Sequence, residues 1–397
     1  MVTGAYGYGA LFGTISLNNN GGEDAYVAKL SGDNGDVMWA QGLGGTGRDF
    51  GRSVAVSMNI TGTGAGDVYI SGGDNGTSTY FLAKYSVGGT QDWVKQVTSG
   101  AYPSTVTSVA VDSSTGSVFT TGSNFTQKSD SNGNVLWAKG IIGYDITVDS
   151  TGNTYITGGF SGKRDFDPGS GKLILTSAGG SDVHVTKLDQ NGNLGWATRI
   201  GGKGEDEGRN IALDSANNVY VAGHFSGKVD FNPGTGTSYL TSVGSRDIFA
   251  VKLDSGANLV WAGSLSGTVD EWIRGMAVDS SDNVLLTGYF SGAVDADPSS
   301  AAYNLTSNGG YDSFLVKWTQ PVALMASSSV TDNTELLAMA SPANAEAVSS
   351  RRNEKKEAAH LMDAVFSVAP GLLWYPTFSD RVSIGLLDWD SLDLLGS

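Results

Sequence analysis

The chain holds 397 residues with 57 Gly, 8 Pro and no Cys, and its 24 basic against 40 acidic side chains leave a net charge of -16. The lack of Cys excludes disulfides, thiolate metal sites and thiol nucleophiles, no apolar run approaches the about 18 residues of a membrane span, and the acidic balance argues against nucleic acid or anionic lipid as partner. Gly at about 14% is roughly twice average usage while Pro is low, which points to many tight turns rather than to a collagen-like or disordered polymer. Met1-Val2-Thr3-Gly4 leads straight into turn-rich sequence, so no signal peptide is read there.

In chain order, the first recurrent feature is a Trp in a constant setting: Trp39, Trp93, Trp137, Trp196 and Trp261, in steps of 54, 44, 59 and 65 residues. Each follows a Lys that closes an alternating apolar run, namely Lys29, Lys84, Lys128, Lys187 and Lys252, with Lys317 as a sixth. Upstream of the Lys a second string recurs, as SVAVDSSTGSVFTTG from Ser108, ITVDSTGNTYITG from Ile146, IALDSANNVYVAG from Ile211 and MAVDSSDNVLLTG from Met276. One unit therefore reads as four short segments rich in Val, Ile, Tyr, Phe and Thr between Gly, Asn, Asp and Ser clusters, the pattern of strands joined by tight turns. Four antiparallel strands repeated every 45 to 65 residues or so is the pattern of a β-propeller blade.

Units begin near residues 1, 53, 107, 145, 209 and 274. The first holds only the last three strands of a blade, and the last reaches Lys317 without a Trp strand. The expected fold is thus all-β, a propeller of six four-stranded antiparallel blades over 1–320, closed by tail strands such as Val322-Ala323-Leu324-Met325. A truncated seven-bladed ring is the alternative. Residues 321–350 read as an Ala/Ser/Thr-rich linker that could supply closing strands. RRNEKKEAAHLMDAVFSV from Arg351 reads as a short amphipathic helix, followed by an apolar tail to residue 397.

The units from Ile146, Ile211 and Met276 resemble the bacterial SBBP (seven-bladed β-propeller) repeat, through VDSTGNTYITGGFSGKRDFDPG, LTSAGGSDVHVTKLD and NGNLGWATRIGG. The resemblance implies a propeller, usually in secreted or surface proteins of bacteria, with no established catalytic activity; an extracellular or cell-surface location is the expectation it carries. Asp189-x-x-Gly192-x-x-x-Trp196, echoed by Asp130, Gly133 and Trp137, is also similar to the tryptophan-docking motif of quinoprotein propellers. That likeness implies that Trp39, Trp93, Trp137, Trp196 and Trp261 seal blade interfaces, a task suited to a large flat apolar ring. The vicinal cysteine pair of those proteins is absent, and no quinone cofactor is expected.

Strand order sorts the loops onto two faces. One face receives the Asp/Asn/Gly hairpin turns. The other receives the loops between second and third strands, with Asp165, Asp167, Asp230, Asp295 and Asp297, and the loops between blades, with Asp49, Glu205, Asp206, Asp270 and Glu271. On this reading the carboxylates gather at the channel mouth, and hard oxygens at close spacing in the first group suit Ca²⁺, although Asx turns satisfy the same residues without metal. Catalysis has thin support: His184, His224 and His360 stand in no metal or general-base spacing. The expected function is a non-catalytic binding, adhesion or scaffold module, acting as a monomer on a protein or glycan ligand through the acidic loop face. The alternative is a glycoside hydrolase or polysaccharide lyase working through pairs such as Glu205/Asp206 or Asp270/Glu271.

Overall fold

The computed structural model describes residues 1–57, 66–74, 80–97, 106–299, 302–319 and 346–347, and every regular element among them is a strand. Antiparallel sheets form a propeller ring of six blades. Blades 2 to 5 have four strands each, opening with the inner strands Asp49–Val56, Val106–Asp112, Asp145–Val148 and Glu207–Leu213. Blade 6 opens with Trp272–Val278, and its outer edge is paired by Glu346–Ala347, two residues against Val316 and Lys317. Blade 1 contributes Val2–Gly7, Glu23–Leu30 and Val37–Leu43, which correspond to second, third and fourth strands. The expected closing strand at Val322–Met325, the helix from Arg351 and the apolar tail lie outside the described residues.

Blade faces pack on blade faces, so the middle strands are covered on both sides and their sequence loses the alternation of a half-exposed strand. In blade 5, Val219–Phe225 and Asp247–Leu253 are buried at every residue. Alternate side chains go to opposite neighbours: Ile248 and Ala250 join the core shared with blade 6, while Phe249, Val251 and Leu253 join the core shared with blade 4. A one-residue slip would exchange these sets, which fixes the register.

The outer strand is fastened to the next blade through its Trp. Trp39 Nε1 donates to the Val87 carbonyl at 2.8 Å, Trp137 to Gln190 at 3.1 Å and Trp196 to Ser255 at 3.2 Å, each time in the hairpin between the third and fourth strands of the following blade. The turn residue under the indole has positive φ: Gly89 (86°), Gly133 (73°), Gly192 (76°) and Ala257 (68°). A Cβ built on Gly89 or Gly192 would stand 2.7 or 3.0 Å from the ring of Trp39 or Trp137, and one on Gly133 would stand 2.9 Å from Trp93. Within its own blade the indole meets an aromatic ring of the second strand edge-on or tilted, at 6.1 to 6.3 Å for Tyr69, Phe119, Tyr155 and Tyr220. The recurrent Lys lies over the same ring, from 6.0 Å for Lys84 to 4.8 Å for Lys252. Trp261 differs, packing against Trp318 of blade 6 at 6.4 Å.

The turns are set by Asp side chains: Asp189 Oδ1 accepts from the N–H groups of Asn191 and Asn193, and Asp149 and Asp214 repeat the pattern. In blades 5 and 6 the long insertion after the second strand folds into a hairpin that pairs with the outer strand of the preceding blade, Lys228–Asp230 with Gly201 and Gly202, and Ala293–Asp295 with Ser266 and Gly267.

These contacts predict different costs at two positive-φ glycines. Gly162 has φ 70° with nothing within 4 Å of a built Cβ, whereas Gly192 lies against Trp137. Gly162→Ala should cost about 1 kcal/mol of backbone strain, and Gly192→Ala about 2–3 kcal/mol because the indole must also shift. Denaturant unfolding of both variants checks this; equal costs would remove the indole from the account.

Candidate functional site at the channel mouth

The inner strands of blades 2, 3, 5 and 6 each carry an irregularity near the start. The register shifts at Arg52, Thr107, Arg209 and Arg274, each one residue before a residue that lines the central channel. Tyr144 holds the same place before Asp145 in blade 4. A bulge of this kind re-aims one side chain out of the ladder, here at the end of the strand where the chain arrives from the previous blade. Residues 52, 107, 144, 209 and 274 therefore stand around the mouth on the face that carries the interblade loops.

Below them lies a cavity of about 260 Å³ lined by the inner strands of blades 2 to 6. Its upper level is polar, with Ser53, Ser108, Asp145 and Asn210, and its far end is lined by Val56, Val111, Val148, Leu213 and Val278. Asp145 accepts from Ser108 Oγ at 2.6 Å, from the Ile146 N–H at 2.9 Å and from the Ile211 N–H at 2.9 Å, so one carboxyl ties the inner strands of blades 3, 4 and 5. Burial pushes its pKa up to about 6 against the pull of those hydrogen bonds.

At the mouth, Arg209 pairs with Glu207 at 2.5 Å and lies 4.4 Å over the Tyr144 ring. Glu207 also contacts His224 Nε2 at 3.2 Å and accepts from Tyr144 Oη at 3.5 Å. The His224 hydrogen bond, with the Arg209 charge, holds the Glu207 carboxyl down at about 2, while burial lowers the His224 pKa. Glu207 is thus held as an anion, and burial favours the neutral form of His224. On the blade 6 side, Arg246 lies 4.9 Å over Trp272, and Arg274 lies 4.9 Å over Tyr289.

The structure corrects the expectation that carboxylates gather at the mouth. Asp206 is fully buried and accepts from the Gly202 N–H at 2.7 Å and the Ser226 N–H at 3.0 Å, closing the loop between blades 4 and 5. Asp49 does the same for the Gly45 N–H at 2.8 Å. Glu271 is fully buried between blades 5 and 6, whereas the two exposed or half-exposed acids are held by loop groups, Glu205 by the Ser181 N–H and Asp270 by Ser245 Oγ. Asp206 does not pair with Arg209, whose partner is Glu207. The first acidic group is dispersed too. Asp165 accepts from Asp167 and Leu173, Asp230 from Asn232 and Ser238, Asp295 from Asp297 and Tyr303, and Asp297 from Ser299, all backbone N–H groups. Asp167 accepts from the Gly169 N–H in the same way. These acids shape three separate hairpins, with Phe166, Phe231 and Ala296 buried beneath them. Among the described residues no three Asp, Glu or His side chains converge on a point that could hold a metal. The Arg and aromatic mouth residues escaped the sequence reading because a bulge shows only in the strand pairing, although an Arg near the start of three inner strands, at 52, 209 and 274, is a visible repeat.

Two blade junctions bury similar acid pairs with different outcomes. Between blades 4 and 5, Arg199 ion-pairs with Asp182 beside Asp206. Between blades 5 and 6, Ser264 occupies the Arg199 position, and no cation forms an ion pair with Asp247 or Glu271 among the described residues. Burial first, then the neighbouring Asp247 and Asp270, push Glu271 up to about 8. A carboxyl raised from 4.5 to about 8 binds its proton more tightly in the folded chain, so its contribution is full below pH 4.5 and is lost as pH rises to 8. Glu271→Gln should therefore gain stability relative to the parent across that window and raise the melting midpoint above pH 8 by about 2–4 °C. Melting curves of both chains from pH 4 to 9 test this; a difference that does not grow with pH would refute the uncompensated pair.

Residues 195–224 match the SBBP family, described as a beta-propeller repeat. A relative in Acanthamoeba polyphaga mimivirus, the uncharacterized WD repeat-containing protein L264, is 29% identical over 185 residues, covering 44% of this chain and 13% of its own length. Among solved structures, a protein of unknown function from Bacteroides caccae has a TM-score of 0.37 at 13% identity, covering 66% of this chain and 82% of its own. The C-terminal WD40 domain of Sif2 has a TM-score of 0.36 at 12% identity, covering 69% and 74%. The chain is a β-propeller that carries the SBBP repeat.

Proposed function

We propose that the protein is a non-catalytic binding or scaffold module that offers the mouth face to a protein or glycan ligand at a bacterial cell surface. The observation that carries this reading is the composition of the mouth: Arg and aromatic side chains locked against one another, a type of surface suited to recognition because its rotamers are already fixed. The acids that glycan hydrolysis would require are poorly suited to it. Glu271 retains its proton but is fully buried, and Glu207 is held ionised by Arg209 and His224. The surface location is supported by the likeness of the repeats to those of secreted and surface proteins.

A glycan array, a pull-down from bacterial surface extract and a reducing-sugar assay together test the proposal. The parent chain should retain a ligand and release no sugar, and Arg209→Gln should weaken retention by about tenfold, the scale of one charged hydrogen-bonded contact. Sugar release abolished by Asp206→Ala or Asp270→Ala would replace the binding module with the enzyme.

A further inference from the structure

Below the mouth, the channel wall formed by blades 3 to 5 differs from the rest. Asp145 and Asn210 line the cavity and are only half-buried, whereas Ser53 and Ser108 at the same level are buried. On the blade 6 side that level holds Gly275, which brings no side chain. Asp145 accepts three hydrogen bonds, and a carboxylate offers about four acceptor positions, so one position and the charge itself are left over. With its pKa at about 6 the group is mostly ionised at neutral pH, and no cation forms an ion pair with it among the described residues. Asn210 Oδ1 is a buried acceptor with no hydrogen-bond partner, so the amide can turn without losing a bond from that oxygen. Further along, the half-buried Ala110, Val111, Val148, Ala212 and Leu213 continue the same wall as aliphatic surface.

We propose that the channel binds a small primary alkylamine, its ammonium held by Asp145 and Asn210 and its alkyl chain laid along the aliphatic wall. This site lies below the mouth and is independent of the ligand proposed there. An enclosed carboxylate without a counter-charge is unfavourable, and a cation that enters offsets this through a charge-assisted hydrogen bond. A primary ammonium brings a compact charge and three donors, which suits one carboxylate beside a neutral amide oxygen. The net charge of -16 favours a cation over an anion in the channel.

A metal ion fits less well. No three Asp, Glu or His side chains converge among the described residues, whereas a hard cation such as Ca²⁺ takes about six or more oxygens. The aliphatic wall also has no use in a metal site but suits an alkyl chain. From Asp145 to Val148 the strand advances about 10 Å, room for an extended chain of about six carbons, and the cavity of about 260 Å³ holds such a molecule.

The test titrates the full chain at neutral pH by calorimetry with n-propylamine, n-hexylamine, n-hexanol, hexanoate and Nα-acetyl-lysine methylamide. Hexylamine should bind, hexanol and hexanoate should give no heat, and each methylene between propylamine and hexylamine should tighten binding about three- to fourfold. The lysine compound should bind at least about tenfold more weakly than hexylamine, because its backbone overfills the aliphatic end. Asp145→Asn should weaken hexylamine binding about tenfold or more. If that variant melts early, because Asp145 ties three inner strands, two others decide: Asn210→Asp should tighten binding severalfold and Asn210→Leu should weaken it severalfold. No binding of hexylamine, hexanol binding as tightly as hexylamine, or an affinity unmoved by both Asn210 variants would overturn the proposal. Equal affinity for the lysine compound would overturn the free amine as the ligand.

Discussion

One contact, found at three blade junctions, fastens the outer strands: the indoles of Trp39, Trp137 and Trp196 lie at the positive-φ turn of the next blade and donate to a carbonyl of that hairpin. It sets the spacing between neighbouring sheets at their wide outer end, where blades diverge and side chains alone would leave gaps. The same indole leans on the aromatic ring of its own second strand, and that ring is covered by the recurrent Lys. Glycine is favoured under the indole on two counts, since the turn takes a left-handed residue and a Cβ at Gly89, Gly133 or Gly192 would stand within 3.0 Å of the ring. Where Ala257 takes that place, its φ of 68° is retained, and Trp196 still reaches Ser255.

With the outer ends fastened, the inner strands converge, and the bulges of blades 2, 3, 5 and 6 and Tyr144 of blade 4 stand around the channel. This convergence turns five unremarkable sequence positions into a mouth. Asp145, at the level where blade 3 has Ser108 and blade 5 has Asn210, joins three inner strands. The buried acid pairs between blades serve the loops above. Their differing neutralisation, Arg199 at one junction and Ser264 at the next, makes one side of the ring more sensitive to pH than the other.

The legible parts of the sequence were those in which one local requirement recurs. The Asp-Asn hairpins, the Lys and Trp positions and the unit boundaries all follow from turn chemistry and strand alternation, which act over a few residues. The acids illustrate the opposite case. Glu205 and Asp206 look interchangeable in sequence, yet Asp206 is buried under a loop that it closes and Glu205 reaches the surface beside Ser181. Asp165, Asp230 and Asp295 look like a ligand cluster because their spacing repeats, but repetition around a ring places equivalent residues on different blades, far from a common centre.

The sequence by itself determined the all-β class, the blade repeat, the division of loops between two faces and the incomplete first unit, because each is encoded in short-range periodicity. Tertiary structure alone decided which side chains share the mouth. Arg209 meets Tyr144 from 65 positions earlier, and Arg246 meets Trp272 across a blade boundary. Such pairings depend on strand register and on the angle between adjacent blades, quantities set by the packing of whole faces, and no single segment carries them.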